Sequence, residues 1–299
     1  MRIAVLGSAA GGGFPQWNSN AEGCRRARAG DPAARPRTQA SIAVSADGLR
    51  WFIINASPDL REQVGRSAFL HPREGLRSTP IAGVVLTGGD VDVIAGLLTL
   101  RERQPFTLYA TARIHGVLDA NPIFEVLARD VVRRAVVSLE TPVSLDDGLT
   151  VELFAVPGKT PLYLEATDAP PIETNDTTVA AAISDGRTTI FYVPGCAAMT
   201  PALADRLRGA PLVFFDGTLW RDDEMVAAGL GTKTGRRMGH MSLEGPEGTL
   251  AAFADLGVTR KVLIHINNSN PVLIEDSPER ARATAQGWEV AHDGMEILV

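Results

Sequence analysis

LTGGDVDVIAGLL, residues 86–98, joins an apolar run to a helical one through a glycine pair and two aspartates. The run before it, residues 81–87, is short and rich in β-branched side chains, which predicts a buried strand. Gly88 and Gly89 end that strand by allowing backbone angles that other residues resist. From Val93 onward, Ile94, Leu97 and Leu98 have helical spacing, with Asp90 or Asp92 at the helix start. Either carboxylate could serve only as a cap there, worth about 0.5–2 kcal/mol. Partners elsewhere in the chain are needed to make it a site.

Working outward, residues 3–6 form a first strand, followed by the Gly-rich loop GSAAGGGFPQWN, 7–18. This loop is not a dinucleotide fingerprint, because Ala9 stands where a glycine is required and Pro15 interrupts any helix. Nor does it continue into the G-K-[ST] of a P-loop. Residues 21–37 are small, basic and Pro-containing, as in a mobile excursion. A hairpin follows across Ala46-Asp47-Gly48, with Ser57 capping a helix that has Pro58 in its first turn. A strand at 106–110 and helical structure to about Arg134 complete this half.

The second half repeats the plan. A strand at 149–156 ends at Pro157-Gly158, a polar loop fills 159–176, and strands 178–184 and 188–193 turn around Asp185-Gly186. Helices are expected at 201–208, 247–256 and 278–286, strands at 211–215 and 261–266, and a closing hairpin at 289–299. Hairpins plus strand-helix units, stated twice, fit two sheets packed face to face with helices outside, an α/β four-layer sandwich. No Pro/Gly/Ser linker separates the halves, so residues 1–299 are expected to form one domain.

The chain has 299 residues, 45% of them hydrophobic, and a formal net charge of -6 with both signs interspersed. That balance offers no footprint for nucleic acid, and no apolar run reaches the roughly 20 residues of a membrane helix. The N-terminal MRIAVLGSAA reads as a strand rather than a leader. Two cysteines, Cys24 and Cys196, make no disulfide framework, and a cytoplasmic location is expected.

His71, His115 and His292 lie in helical, polar or turn contexts and read as structural or exposed. His240 and His265 each end an apolar or Gly-rich segment, while Asp92 and Asp216 stand at strand ends. Each histidine taken singly reads equally well as buried and satisfied. Together the four have the 2-His-1-carboxylate composition that holds Fe(II) with positions open for oxygen. Cys196 could be a nucleophile paired with His240, although buried inert cysteines are commoner. Arg37, Lys233, Arg236 and Arg237 lie in loops near these residues and could receive carboxylates of an anionic ligand.

VLGSAAGGGFPQWN, NASPDL, GLLTLRE, DGTLW, TGRRMGH and LIHINNSNP, in this order, closely resemble the PqqB family of pyrroloquinoline quinone (PQQ) biosynthesis proteins. The resemblance spans nearly the whole chain and implies a metallo-β-lactamase-like αββα sandwich. For activity it implies either an iron-dependent hydroxylase of the tyrosine part of a Glu-Tyr precursor or a carrier of PQQ or its precursor. Other proteins of the pathway are implied partners, and a homodimer is compatible with it. Asp92, Asp216, His240 and His265 are the implied metal set. The implied ligand site draws on Gly12, Gly13, Phe14, Gln16, Trp17, Arg37, Asn55, Trp220, Arg236, Asn267 and Asn268.

The departures from the family matter as well. Relatives commonly carry a cysteine cluster suited to structural zinc after the tryptophan of the first loop. Here only Cys24 remains, and one thiolate cannot close a tetrahedral site, so structural zinc is not expected. The wider superfamily places H-x-H-x-D-H where this chain has Gly88, Gly89, Asp90, Val91, Asp92 and Val93. Only Asp92 survives, which argues against a dinuclear zinc hydrolase. A further family histidine is replaced near Asp176 and Thr177.

Overall fold

The computed structural model describes residues 1–145, 148–165 and 172–299. Part of the expected loop 159–176, residues 166–171, lies outside them. The described strands are β1 (Arg2–Gly7), β2 (Ser41–Ser45), β3 (Trp51–Ile54), β4 (Ile81–Val85), β5 (Phe106–Ala110), β6 (Val132–Val136) and β7 (Val143–Ser144). They continue as β8 (Thr150–Gly158), β9 (Glu173–Ser184), β10 (Thr189–Val193), β11 (Leu212–Asp216), β12 (Arg260–Ile264), β13 (Trp288–Val290) and β14 (Glu296–Leu298). Two seven-stranded sheets result, ordered β14-β1-β2-β3-β4-β5-β6 and β13-β12-β11-β10-β9-β8-β7.

Each sheet has the same internal grammar. Antiparallel pairs run from β14 to β3 and from β7 to β10; parallel pairs run from β3 to β6 and from β10 to β13. The hairpins around Asp47-Gly48 and Asp185-Gly186 form as their turn chemistry predicts. Along β11 the side chains alternate between two cores. Leu212 and Phe214 join Val44, Ile53, Val84 and Leu108 of the first sheet in a core between the sheets. Val213 and Phe215 face the other way, with Leu203 and Leu207 of the helix Pro201–Leu207 and Ala283 of the helix Pro278–Ala285. Burial on both faces explains why these strands read as unbroken apolar runs.

Several local expectations are corrected. The expected closing hairpin does not form: β13 pairs in parallel with β12, whereas β14 pairs with β1 in the other sheet. Asp293-Gly294 does reverse the chain, with Gly294 at φ 83°, but the reversal crosses between sheets. Ser57 is not a helix cap; its hydroxyl bonds Gln63 Oε1, and the helix is Leu60–Arg66. Residues 132–136 are the parallel strand β6 rather than helix. The loop expected to reach 176 gives way to β9 at Glu173, and the helix expected at 247–256 covers only Thr249–Ala252. The excursion 21–37 contains the helix Glu22–Arg28, whose Cys24 and Ala27 are buried.

After residues 86–90 comes one helical turn, Val91–Ile94, then 3₁₀ turns, Ala95–Leu100. Gly96 is required there, since a Cβ would lie 2.0 Å from the Ser57 carbonyl oxygen. That close approach seats the helical segment against the exit of β3. Asp90 is the N-cap residue, yet no side chain caps this helix. Asp92 is engaged elsewhere.

Candidate metal centre and cavity

The parallel strands of both sheets deliver their C-terminal ends to one cavity of about 500 Å³. Asn55 follows β3, and Thr87, Gly88, Asp90, Asp92 and Val93 follow β4. From the other sheet come Gly195 after β10, Thr218 after β11 and His265 directly after β12, with His240 from the connection between the last two. Crevices beyond the carboxyl ends of parallel strands are where open α/β sheets bind ligands.

Asp216 is fully buried at the end of β11. Its Oδ2 accepts the Cys196 backbone N–H at 2.8 Å and lies 2.7 Å from His240 Nδ1; its Oδ1 accepts the Thr218 N–H at 3.0 Å. Thr218 Oγ1 lies 2.6 Å from Asp216 Oδ1, 3.1 Å from His240 Nδ1, and 2.9 Å from both Nδ1 and the carbonyl oxygen of His265. One hydroxyl offers a single proton and two lone pairs, so it cannot satisfy all four contacts. Ligand atoms of Asp216, His240 and His265 all lie within 4.8 Å of one another. Two imidazoles and a carboxylate crowded around an over-subscribed hydroxyl suit a divalent cation that would take up their lone pairs. The donor set therefore fits a metal.

Asp92 stands behind this trio. Its Oδ2 is 2.9 Å from His265 Nε2, while His265 Nδ1 faces Thr218. Burial alone would raise the Asp92 carboxyl and lower the His265 imidazole. The hydrogen bond and opposite charges override it, leaving Asp92 below the usual carboxylate range and His265 above the usual imidazole range. Such a carboxylate–histidine pair fixes the ring's orientation. His265 is held at φ 57° and Asn55 at φ 66°, conformations costing about 1–3 kcal/mol that cluster at functional sites. Burial, then the neighbouring Asp92, pushes the Asp90 carboxyl up.

Among the ligand-site residues expected from sequence, Gln16, Asn55 and Asn267 line the cavity. Gly12 turns at φ 91° and its missing Cβ leaves room for the Gln16 side chain, and Asn268 Nδ2 donates to Gln16 Oε1. Gly13 packs beside the Arg37 backbone, Phe14 and Trp220 belong to the outer core of the second sheet, and Trp17 is exposed. Arg37 is corrected: it is buried, and its guanidinium donates to the Ala291 carbonyl instead of facing the cavity. Arg236 is exposed toward Glu247, outside the lining. Cys196 is buried, its thiol pushed up to about 12 by burial, which argues against a nucleophilic role at neutral pH. Sequence reasoning passed over Thr218, inside DGTLW, and Lys159, at the head of a polar loop.

A beta-lactamase superfamily domain model matches residues 50–266. Coenzyme PQQ synthesis protein B of Gluconacetobacter diazotrophicus is 63% identical, covering 99% of this chain and 98% of that protein. The chain belongs to the coenzyme PQQ synthesis protein B family. Another member, from Xanthomonas campestris pv. campestris, is 56% identical over 99% of both chains. The crystal structure of Zn(2+)-bound PqqB from Methylobacterium extorquens superposes with a TM-score of 0.97 at 52% identity, covering 100% of both chains. That family member therefore holds zinc. A diphosphatase of the PhnP family, 22% identical with a TM-score of 0.70 over 99% of this chain and 97% of its own, shares the metallo-β-lactamase fold. Among the described residues no helix is long and apolar enough to cross a membrane.

Proposed function

We propose that this protein acts in PQQ biosynthesis as a cytoplasmic, iron-dependent hydroxylase of the tyrosine part of a Glu-Tyr precursor, with the whole chain serving as one domain. The observation that carries the reading is the Asp216, His240 and His265 cluster opening onto a cavity large enough for a small organic ligand. These three residues would hold the ion, and Asp92 would orient His265 from behind. Ferrous iron, when bound, supplies the reaction of dioxygen with an aromatic C–H bond. Gln16, Asn55 and Asn267 offer amides that orient a polar substrate, and Met225, Met238, Leu162 and Val179 supply the apolar wall for a ring.

The test is anaerobic loading with Fe(II), followed by oxygen, a two-electron reductant such as ascorbate and the Glu-Tyr compound. A product heavier by one oxygen atom is expected. Protein that takes up no metal and forms no product sinks the reading. A second reading, a carrier that binds PQQ or its precursor without turnover, is favoured by Gly88 and Val93, which put no imidazole on the first sheet's side of the cavity. Tight binding of PQQ by metal-loaded protein that stays inactive would select it.

A further inference from the structure

The cavity carries cations that the metal chemistry does not use. Lys159 and Lys233 both line it. Lys159 is largely buried, at 18% exposure, and its stem lies against Gly239, next to His240; a Cβ at 239 would be 3.2 Å from its Cγ. Among the described residues its ammonium meets the Thr160 carbonyl at 3.3 Å and Asp90 Oδ1 at 3.8 Å. Lys233 Nζ lies 3.4 Å from Glu165 Oε2. Charge-assisted hydrogen bonds normally close to about 2.7–2.9 Å, so among the described residues neither ammonium has an acceptor that close, and both keep donors for one.

The same segment links both groups to the cavity walls. Residues 159–165 cross from Lys159 to Glu165. The Tyr163 hydroxyl donates to the Gly89 carbonyl at 2.6 Å, and Glu165 also accepts from Arg237. Among the described residues, Arg237 Nη1 is buried without a partner beside this pair. Among the described residues, Lys159, Lys233 and Arg237 thus share the carboxylates of Asp90 and Glu165 at the cavity's edge.

We propose that Lys159 and Lys233 bind a carboxylate of the ligand, with Asp90 and Glu165 as the counter-ions that this carboxylate displaces. The ligand class is a small carboxylic acid whose reacting part reaches Asp216, His240 and His265. The proposal rests on the cavity being the substrate site. Desolvation strengthens the attraction, because an ion pair in a partly closed cavity is screened less than one in water.

Equilibrium binding of the Glu-Tyr dipeptide and of its fully esterified form tests this with protein as isolated. The acid should bind at least about tenfold tighter than the ester, and Lys159→Met and Lys233→Met should each weaken the acid by about tenfold while sparing the ester. Glu165→Gln should tighten acid binding, because it frees Lys233 and Arg237; a merely structural ion pair predicts no such gain. Lys233 is half-exposed, so its variant reports even if Lys159→Met lowers the melting temperature. Equal affinity of acid and ester, wild-type affinity in the double variant, or no binding by the wild type overturns the subsite. Metal content and hydroxylated product are read on the same variants after anaerobic Fe(II) loading, with oxygen and a two-electron reductant added. The affinity differences persisting without product would support the subsite and count against the hydroxylase reading alone.

Discussion

The two sheets present equivalent strand exits to the cavity and equip them differently. Beyond β3 and β4 stand Asn55, Asp90, Asp92 and two residues with no donor side chain, Gly88 and Val93. Beyond β10, β11 and β12 stand the Cys196 amide, Asp216, Thr218, His240 and His265. A repeated frame therefore supports an asymmetric centre. One half supplies the clustered donors, and the other supplies a carboxylate that acts on His265 from its far side.

The sharpest way to break this contrast is His265→Ala. Metal retained through dialysis should fall by more than the ~10–100-fold that outer partners control, because a direct donor is gone. Asp92→Ala should fall within that ~10–100-fold range. Equal losses would make Asp92 a direct donor and the centre shared between halves; elemental analysis of both proteins decides.

A smaller effect concerns pH in metal-free protein. His265, raised, contributes stability that is fully present below its unfolded value of about 6.5 and lost as pH rises through its folded value. Asp92, lowered, contributes stability present above about 3.9 and lost as pH falls through its folded value. The denaturation free-energy difference between wild type and Asp92→Asn should therefore be largest between about pH 4 and 6.5 and narrow on both sides. A flat difference would remove the ionic character of the pair. The least change is expected at Cys196. At pH 8 a thiol held at about 12 should not react with a disulfide reagent in the folded protein, and should react fully once denatured.

Much of this architecture was legible because local chemistry specifies it. Asp47-Gly48 and Asp185-Gly186 turn strands into hairpins whose partners are adjacent in sequence. Asp293-Gly294 turns the chain equally well, yet its flanking strands join different sheets, a choice made by distant edges rather than by the turn. Asp92, Asp216, His240 and His265 stood out as polar groups at strand ends. Their division into a trio and an outer partner was not legible, since it depends on His265 turning Nε2 to Asp92 and Nδ1 to Thr218. Arg37 was misassigned because a basic residue in a loop reads as solvated, and nothing local announces that the Ala291 carbonyl will accept a hydrogen bond from it. Lys159 was missed for a related reason: Gly239, eighty residues away, provides the surface on which its stem lies.

The pairing of β14 with β1 has a kinetic consequence. Arg2 opposes Leu298, so one edge of the first sheet is made from segments far apart in sequence. Contacts of such sequence separation raise contact order and slow folding. During synthesis, β1 must wait with that edge open until β14 has emerged. An unpaired strand edge is a template for association with other chains, so the nascent protein is exposed to misassembly until β14 arrives.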